Sequence, residues 1–116
     1  MKPKMKWHKY KAKPVVIDGI RFDSNGEGSR YQELKLQQTA GFISSFSLQP
    51  VFELHPSFEY QGKKFRKISY KADFKYIKDG KEIVEDFKGK ETPEYKLKKK
   101  LLLKKYPDIN FIETGT

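Results

Sequence analysis

The sequence predicts an α/β fold in which helices flank a small mixed sheet, and three observations carry that expectation. Two well-signalled helix starts, at Ser24 and Thr92, stand far apart in the chain. Between them lie alternating, aromatic-rich segments with the period of strands. Within those segments Asp79-Gly80 separates two alternating runs, a strong hairpin signal because a type I′ turn needs positive φ at both central positions. The implied order is helix, three strands, helix, strand.

Each element has a local reason. Val15 to Phe22 reads as a short strand or hairpin leading into the first helix. Ser24-Asn25-Gly26-Glu27 fits a capping box, with Ser24 as N-cap and Glu27 three residues on. The helix runs past Tyr31 and Leu34 to Ala40, and Gly41 suits its C-terminal stop. Gly26 and Gly28 cost its first turn about 1 kcal/mol each relative to alanine. An extended region follows from Leu48 to Tyr60, and Gln61-Gly62-Lys63 turns into a run from Phe65 to Ile77. There Ile68, Tyr70, Ala72, Phe74 and Tyr76 form an apolar face, alternating with Ser69, Lys71, Asp73 and Lys75. Lys81 to Lys88 returns antiparallel. Thr92-Pro93-Glu94 opens the second helix, with Thr at the N-cap and Pro at the first helical position. Leu97, Leu101, Leu102, Leu103 and Tyr106 are its expected packing residues; Pro107 ends it, and Ile109 to Ile112 is a final strand.

With 116 residues the chain suits a single domain. Residues 1–13 read as a basic mobile arm and 14–116 as the domain. There is no cysteine, which excludes disulfides and thiolate metal sites. No run reaches the roughly 18 apolar residues of a membrane span, and mean hydropathy is −0.83. The N-terminus lacks the apolar core of a signal peptide, so the expected location is the compartment of synthesis, the cytoplasm. Lys and Arg number 25 against 15 Asp and Glu, a net charge of +10, which favours a polyanionic partner, nucleic acid first. The lysines cluster in the arm, around Trp7 and Tyr10, and again over residues 88–105.

The centre of the chain carries the chemistry. If residues 79 and 80 form the turn, 78 faces 81 and 76 faces 83, and the same register sets Asp73 opposite Asp86. Lys88, two residues along, shares their side of the strand. Like charges directly opposite are destabilising, which suggests a cation between them. Glu85 should point to the other face as a structural or partner-facing residue. His8 and His55 are isolated and lack metal-ligand spacing.

These residues, on this order of elements, resemble the PD-(D/E)XK nuclease superfamily, whose core is αβββαβ and restriction-endonuclease-like. The resemblance covers roughly residues 20 to 113 and is closest to a phage and prophage branch similar to Holliday junction resolvases. It is carried by Phe22-Asp23-Ser24 with Glu27, Tyr31-x-Glu33-Leu34, Gln49-Pro50, Tyr70-Lys71-Ala72-Asp73-Phe74, Val84-Glu85-Asp86-Phe87-Lys88-Gly89 and the lysine-rich helix after Thr92. The resemblance implies that Asp73 and Asp86 bind metal, that Lys88 orients the attacking water, and that Glu27 completes the metal shell. The backbone carbonyl of Phe87 is a further implied ligand. Ala72 stands where a proline often precedes the first acid. The implied cofactor is Mg²⁺, with Mn²⁺ able to substitute. The implied activity is phosphodiester hydrolysis, selective for branched DNA, by a homodimer in the host cytoplasm. Lys71, Lys90, Lys96, Lys98, Lys99 and Lys100, with Lys6, Trp7 and Lys9 of the arm, are the expected DNA contacts.

Plainer, less favoured readings stand beside these: Glu27 as only the capping-box acid, a role it cannot fill fully together with metal binding, and Asp73 and Asp86 as surface partners of Lys71, Lys75 and Lys88. The same core also supports a less selective nicking or restriction-type enzyme, or a DNA-binding module without catalysis.

Overall fold

A computed structural model of the chain describes residues 13–88 and 91–115. The basic arm therefore lies outside the described residues except for Lys13, and with it Lys6, Trp7 and Lys9; Lys90 lies outside them too. Strands β1 (Val15–Ile17) and β2 (Ile20–Phe22) form a hairpin against helix α1 (Asn25–Thr39). Its turn is Asp18-Gly19, with φ of 54° and 77°. The Ser24 hydroxyl accepts the Glu27 N–H at 3.1 Å, as the capping motif predicts. At the other end Gly41 and Phe42 donate to the carbonyls of Gln38 and Gln37, a Schellman stop with Gly41 at φ 88°.

Four strands make the central sheet: β3 (Ser44–Leu48), β8 (Phe74–Lys78), β9 (Lys81–Phe87) and β10 (Asn110–Thr114), in the order β10-β9-β8-β3. The β3–β8 and β8–β9 pairs are antiparallel, and β9–β10 is parallel. A parallel neighbour needs a long crossover, which helix α2 (Pro93–Lys105) supplies. The hairpin register is the predicted one: Lys78 faces Lys81, Tyr76 faces Ile83, and Asp79-Gly80 turns at φ 52° and 77°.

Two expectations need correction. The run from Phe65 to Ile77 is not one strand, and the region from Leu48 to Tyr60 is not one extended segment. They divide into β4 (Val51–His55), β5 (Phe58–Tyr60), β6 (Lys63–Phe65) and β7 (Ile68–Lys71), ahead of β8. Strand β4 pairs with β7, and β5 with β6. The ribbon β3–β4 against β8–β7 breaks at Gln49-Pro50 and at Ala72-Asp73. Two hydrogen bonds carry it across the break, Gln49 N–H to the Asp73 carbonyl at 2.9 Å and Ala72 N–H to the Pro50 carbonyl at 3.0 Å. The supposed single apolar face is thereby split. Phe74 and Tyr76 join Phe22, Tyr31, Leu34 and Ile43 in one core. Tyr70 and Ala72 join Leu54, Val84, Tyr95 and Leu102 in the other. Ile68 is largely exposed.

A further correction concerns α2. It lies against β4 and β7 and buries only Tyr95 and Leu102, two turns apart on one narrow seam. Leu97, Leu101 and Leu103 fall off that seam and stay exposed. Among the described residues, no helix is long and apolar enough to cross a membrane.

Glu85 is structural, as alternation suggests, and faces no outside partner: it is fully buried. Arg30 of α1 reaches it with Nε at 2.6 Å and Nη2 at 3.0 Å. The hydroxyls of Tyr76 and Thr114 donate to it at 2.7 Å and 2.8 Å. Burial pushes the Glu85 carboxyl up, but the bonds from Arg30, Tyr76 and Thr114 outweigh it and hold the group below its ordinary range. Removing one partner of such a pair leaves an uncompensated buried charge. Arg30→Ala should therefore cost about 3–5 kcal/mol in urea unfolding. Adding Glu85→Gln, which keeps the Tyr76 and Thr114 contacts without the charge, should recover more than half of that loss.

Candidate active site

Strand β9 sorts its side chains by alternation. Glu85 and Phe87 face α1, where Phe87 packs on the first core. Val84 faces the α2 side with the second core, and Asp86 and Lys88 share that direction. Lys88 Nζ lies 4.3 Å from the ring centre of Tyr95 on α2 and 3.9 Å from Asp86 Oδ2.

Asp73 occupies the bend between β7 and β8, one residue beyond the last paired position, Phe74 opposite Glu85. Its N–H donates to the Glu85 carbonyl at 3.2 Å, and its Oδ2 accepts the Phe87 N–H at 2.7 Å. Burial raises the Asp73 carboxyl, opposed by the Phe87 N–H and the charge of Lys88. The Lys88 N–H donates to the Thr114 carbonyl of β10 at 2.8 Å. In a trans peptide the Phe87 carbonyl points the opposite way, toward the side of β9 on which Asp73 lies.

Glu27 is brought in by the first turn of α1 and is 9% exposed. Its carboxyl is near enough to that of Asp73 for the two charges to act on each other. Burial, then the negative charges of Asp73 and Asp23, push it up to about 7. Of the capping box, the Ser24 half is made. The glycines beside it have a packing reason. A Cβ on Gly26 would stand 2.5 Å from Phe87 Cζ, and one on Gly28 would stand 2.7 Å from Ile17 Cδ1. Close approach of the Phe87 ring and of β1 sets these residue types, and the approach carries Glu27 toward β9.

Asp86 is the least satisfied group. It is 1% exposed, and neither carboxylate oxygen has a hydrogen-bond partner among the described residues. Burial pushes it up to about 6, with Lys88 and the Asp73 N–H pulling it down and Glu113 raising it. That N–H is committed to the Glu85 carbonyl, and Lys88 is too far for a hydrogen bond, so both act only as nearby positive charge. The positive charge of Lys88 lowers both Asp73 and Asp86, and Lys88 lies 3.9 Å from Asp86 Oδ2. The like-charge opposition inferred from the register is softened, because Asp73 has turned out of the ladder toward Phe87 and Glu27.

Among the described residues, no three His, Cys, Asp or Glu side chains close into a ready-made metal cage. The donor set nevertheless fits a hard divalent cation, which favours oxygen ligands and keeps several waters with one or two carboxylates. A buried carboxylate with two orphaned oxygens needs such a counter-charge or a proton.

The expected DNA-contact lysines divide. Lys71, Lys96 and Lys100 are exposed. Lys98 pairs with Glu94 at 3.3 Å, and Lys99 with Glu113 at 2.9 Å, so both are partly engaged within the fold. Glu113 and Tyr95 went unnoticed in the sequence. Strand β10 runs two residues beyond the expected Ile112, which sets Glu113 beside Asp86 in the parallel register. The Tyr95 hydroxyl donates to Glu113 and holds it below its ordinary range, with Lys99 adding to the effect. Extending the final strand past Ile112 would have revealed the contact.

No curated protein and no solved structure matches the chain. A family model described as a protein of unknown function, DUF1064, matches residues 7–114. That span takes in every element from β1 to β10, and the chain belongs to the DUF1064 family.

Proposed function

We propose that the protein is a Mg²⁺-dependent DNA endonuclease of the PD-(D/E)XK type, with Asp73, Asp86 and Lys88 as its defining set. The observation that carries the reading is Asp86: fully buried, without a hydrogen-bond partner among the described residues, and beside a lysine whose charge also reaches Asp73. The order of a helix, an antiparallel trio of strands, a helix and a parallel strand supports the αβββαβ core. Asp73, Asp86 and the Phe87 carbonyl would hold the cation, and Glu27 would join once it loses its proton. The cation supplies polarisation of the scissile phosphate and a lower pKa for a bound water. Mn²⁺, with the same preference for oxygen, should substitute.

The protein's own groups account for the rest. Lys88 presents a compact positive charge where negative charge develops on the phosphate, and it orients the attacking water. The Phe87 N–H fixes the rotamer of Asp73. Lys71, Lys96 and Lys100 are available to phosphates on either side. Preference for branched DNA, a homodimer with paired cuts, and a role in phage recombination or replication rest on the family resemblance. A DNA-binding module without catalysis is the second reading, and the acids of the described residues, which do not close into a ready-made group of three, are compatible with it.

Incubation with four-way junction, flap, single-stranded and linear duplex DNA, with Mg²⁺ or EDTA, separates these readings. Symmetric junction cutting is the expected result, and binding without cutting in Mg²⁺ and Mn²⁺ would defeat the enzyme reading. Asp86→Asn and Lys88→Ala should each lower cutting at least 100-fold while DNA affinity in EDTA changes less than threefold. A variant cutting at the parental rate would refute the site.

The raised carboxyls also predict a pH dependence of stability. Glu27 and Asp86 ionise less readily in the folded chain, so the folded form binds the extra protons. Their contribution is full below the ordinary carboxylate range and is lost as pH rises through about 6 and 7. The melting temperature of the metal-free protein should fall from pH 5 to pH 8. Asp86→Asn should flatten that fall, and Mg²⁺ should raise the wild-type melting temperature at pH 8 more than at pH 5.

A further inference from the structure

The hairpin formed by β5 and β6 has no part in either core, yet it is rich in aromatic side chains. Phe58 faces Phe65, Glu59 faces Lys64 and Tyr60 faces Lys63, around a turn at Gln61-Gly62 with φ of 51° and 80°. Alternation places Phe58, Tyr60, Lys63 and Phe65 on one face. The Phe58 and Phe65 rings stack 5.1 Å apart at 13°. All six strand residues are exposed, Tyr60 the most among the aromatics at 62%. Between residues 58 and 67 stand Lys63, Lys64, Arg66 and Lys67, against Glu59 alone.

We infer that this hairpin is a second nucleic-acid contact that stacks on unpaired bases while its lysines hold the neighbouring phosphates. The inference deepens the DNA-acting reading and rests on it. The stacked phenylalanines help a two-stranded hairpin that would be marginal alone. Edge lysines also guard against strand pairing with other chains. Neither need accounts for Tyr60, which remains open on the aromatic face. A face with flat π surfaces and surplus positive charge matches a ligand with flat rings and negative charge. A second copy of the chain fits less well, because two-fold docking would bring Lys63, Lys64, Arg66 and Lys67 against their own equivalents. The hairpin is also connected to the chemistry. Its base, β4 paired with β7, roots in the bend that carries Asp73. Ile68 lies five residues from Asp73, a reach of about 17 Å, and the turn lies farther out along the chain, at most about 40 Å. Those distances place the aromatic face several nucleotides from the bond to be cut, where unpaired bases would mark a branch point.

The test measures binding by fluorescence anisotropy in EDTA, so that cleavage does not enter. Labelled oligo-dT, a four-way junction and a linear duplex are the probes. Tyr60→Ser keeps the Phe58–Phe65 stack and should weaken oligo-dT and junction binding by about fivefold or more, with duplex binding within twofold. Tyr60→Trp should restore the affinity. Lys63→Glu with Lys64→Glu should reduce the logarithmic salt slope on duplex by about 2. Wild-type affinity of Tyr60→Ser for all three probes would overturn the inference, and so would an equal loss on all three. A shift from dimer to monomer in sedimentation of either variant would assign the hairpin to a protein interface instead. If the unaltered protein cuts and binds DNA, those results leave the nuclease reading standing; if it binds none of the probes, both fall.

Discussion

Strand β9 is buried on both faces, and the rest of the molecule is arranged around the consequences. Three consecutive residues, Val84, Glu85 and Asp86, are each shielded from water. Two of them are carboxylates, pointing in opposite directions from adjacent positions. Burial acts on both alike, raising the free energy of the charged form. Their surroundings then separate them. Glu85 receives a guanidinium and two hydroxyls, and it ends more acidic than a free glutamate. Asp86 receives no hydrogen bond from the described residues and ends less acidic than a free aspartate. A fold that can satisfy one buried carboxylate so completely, one residue away, has left the other open. Stability alone favours filling or removing such a group. Function is the economical reason for its presence.

The parts of the design that were legible in the sequence are the local ones. Asp79-Gly80 fixed the hairpin register because only a tight turn with two positive φ values suits that dipeptide, and the register follows by counting. Ser24, Gly41 and Thr92 marked helix ends through hydrogen bonds that span three to five residues. What could not be read depends on distance along the chain. The Arg30–Glu85 pair joins residues 55 positions apart, and no spacing rule singles out Arg30 among 25 basic residues. The break at Ala72-Asp73 was hidden because alternation continues through it: Tyr70, Ala72, Phe74 and Tyr76 are all buried, but in two different cores. Period-two patterning reports that a residue is buried, not which layer covers it.

The first turn of α1 shows how a local rule can fail for a useful reason. Two glycines around Glu27 look like a defect by helix propensity. In the fold they are spaces, one filled by the Phe87 ring and the other by Ile17 and Val15. Because Phe87 lies between Asp86 and Lys88, the contact that requires Gly26 ties the helix to the strand bearing the other site groups. The Phe87 N–H holds Asp73 at the same time. A single residue without ionisable chemistry thus sets the spacing between Glu27, Asp73 and Asp86. Changes at Phe87 or Gly26 would disturb the site through geometry rather than charge.

The local charge matters for any substrate bearing phosphate. Glu27, Asp73, Asp86 and Glu113 would together repel a polyanion if all were free carboxylates. Each is tempered differently. Burial and the charge of Asp73 push the Glu27 carboxyl up to about 7, so it is about half protonated at neutral pH. Asp86 is half-way to neutral in mild acid through burial. Glu113 is held by Tyr95 and Lys99. Lys88 is the charge these arrangements leave exposed to the cluster from the α2 side. Beyond a Debye length of about 8 Å at physiological salt the acids are largely screened. The net +10 of the chain then governs approach. On the proposed reading, such a protein would draw a polyanion from a distance through its lysines and meet it at close range with a carboxyl cluster only partly neutralised by protons, whose remaining charge a cation would balance.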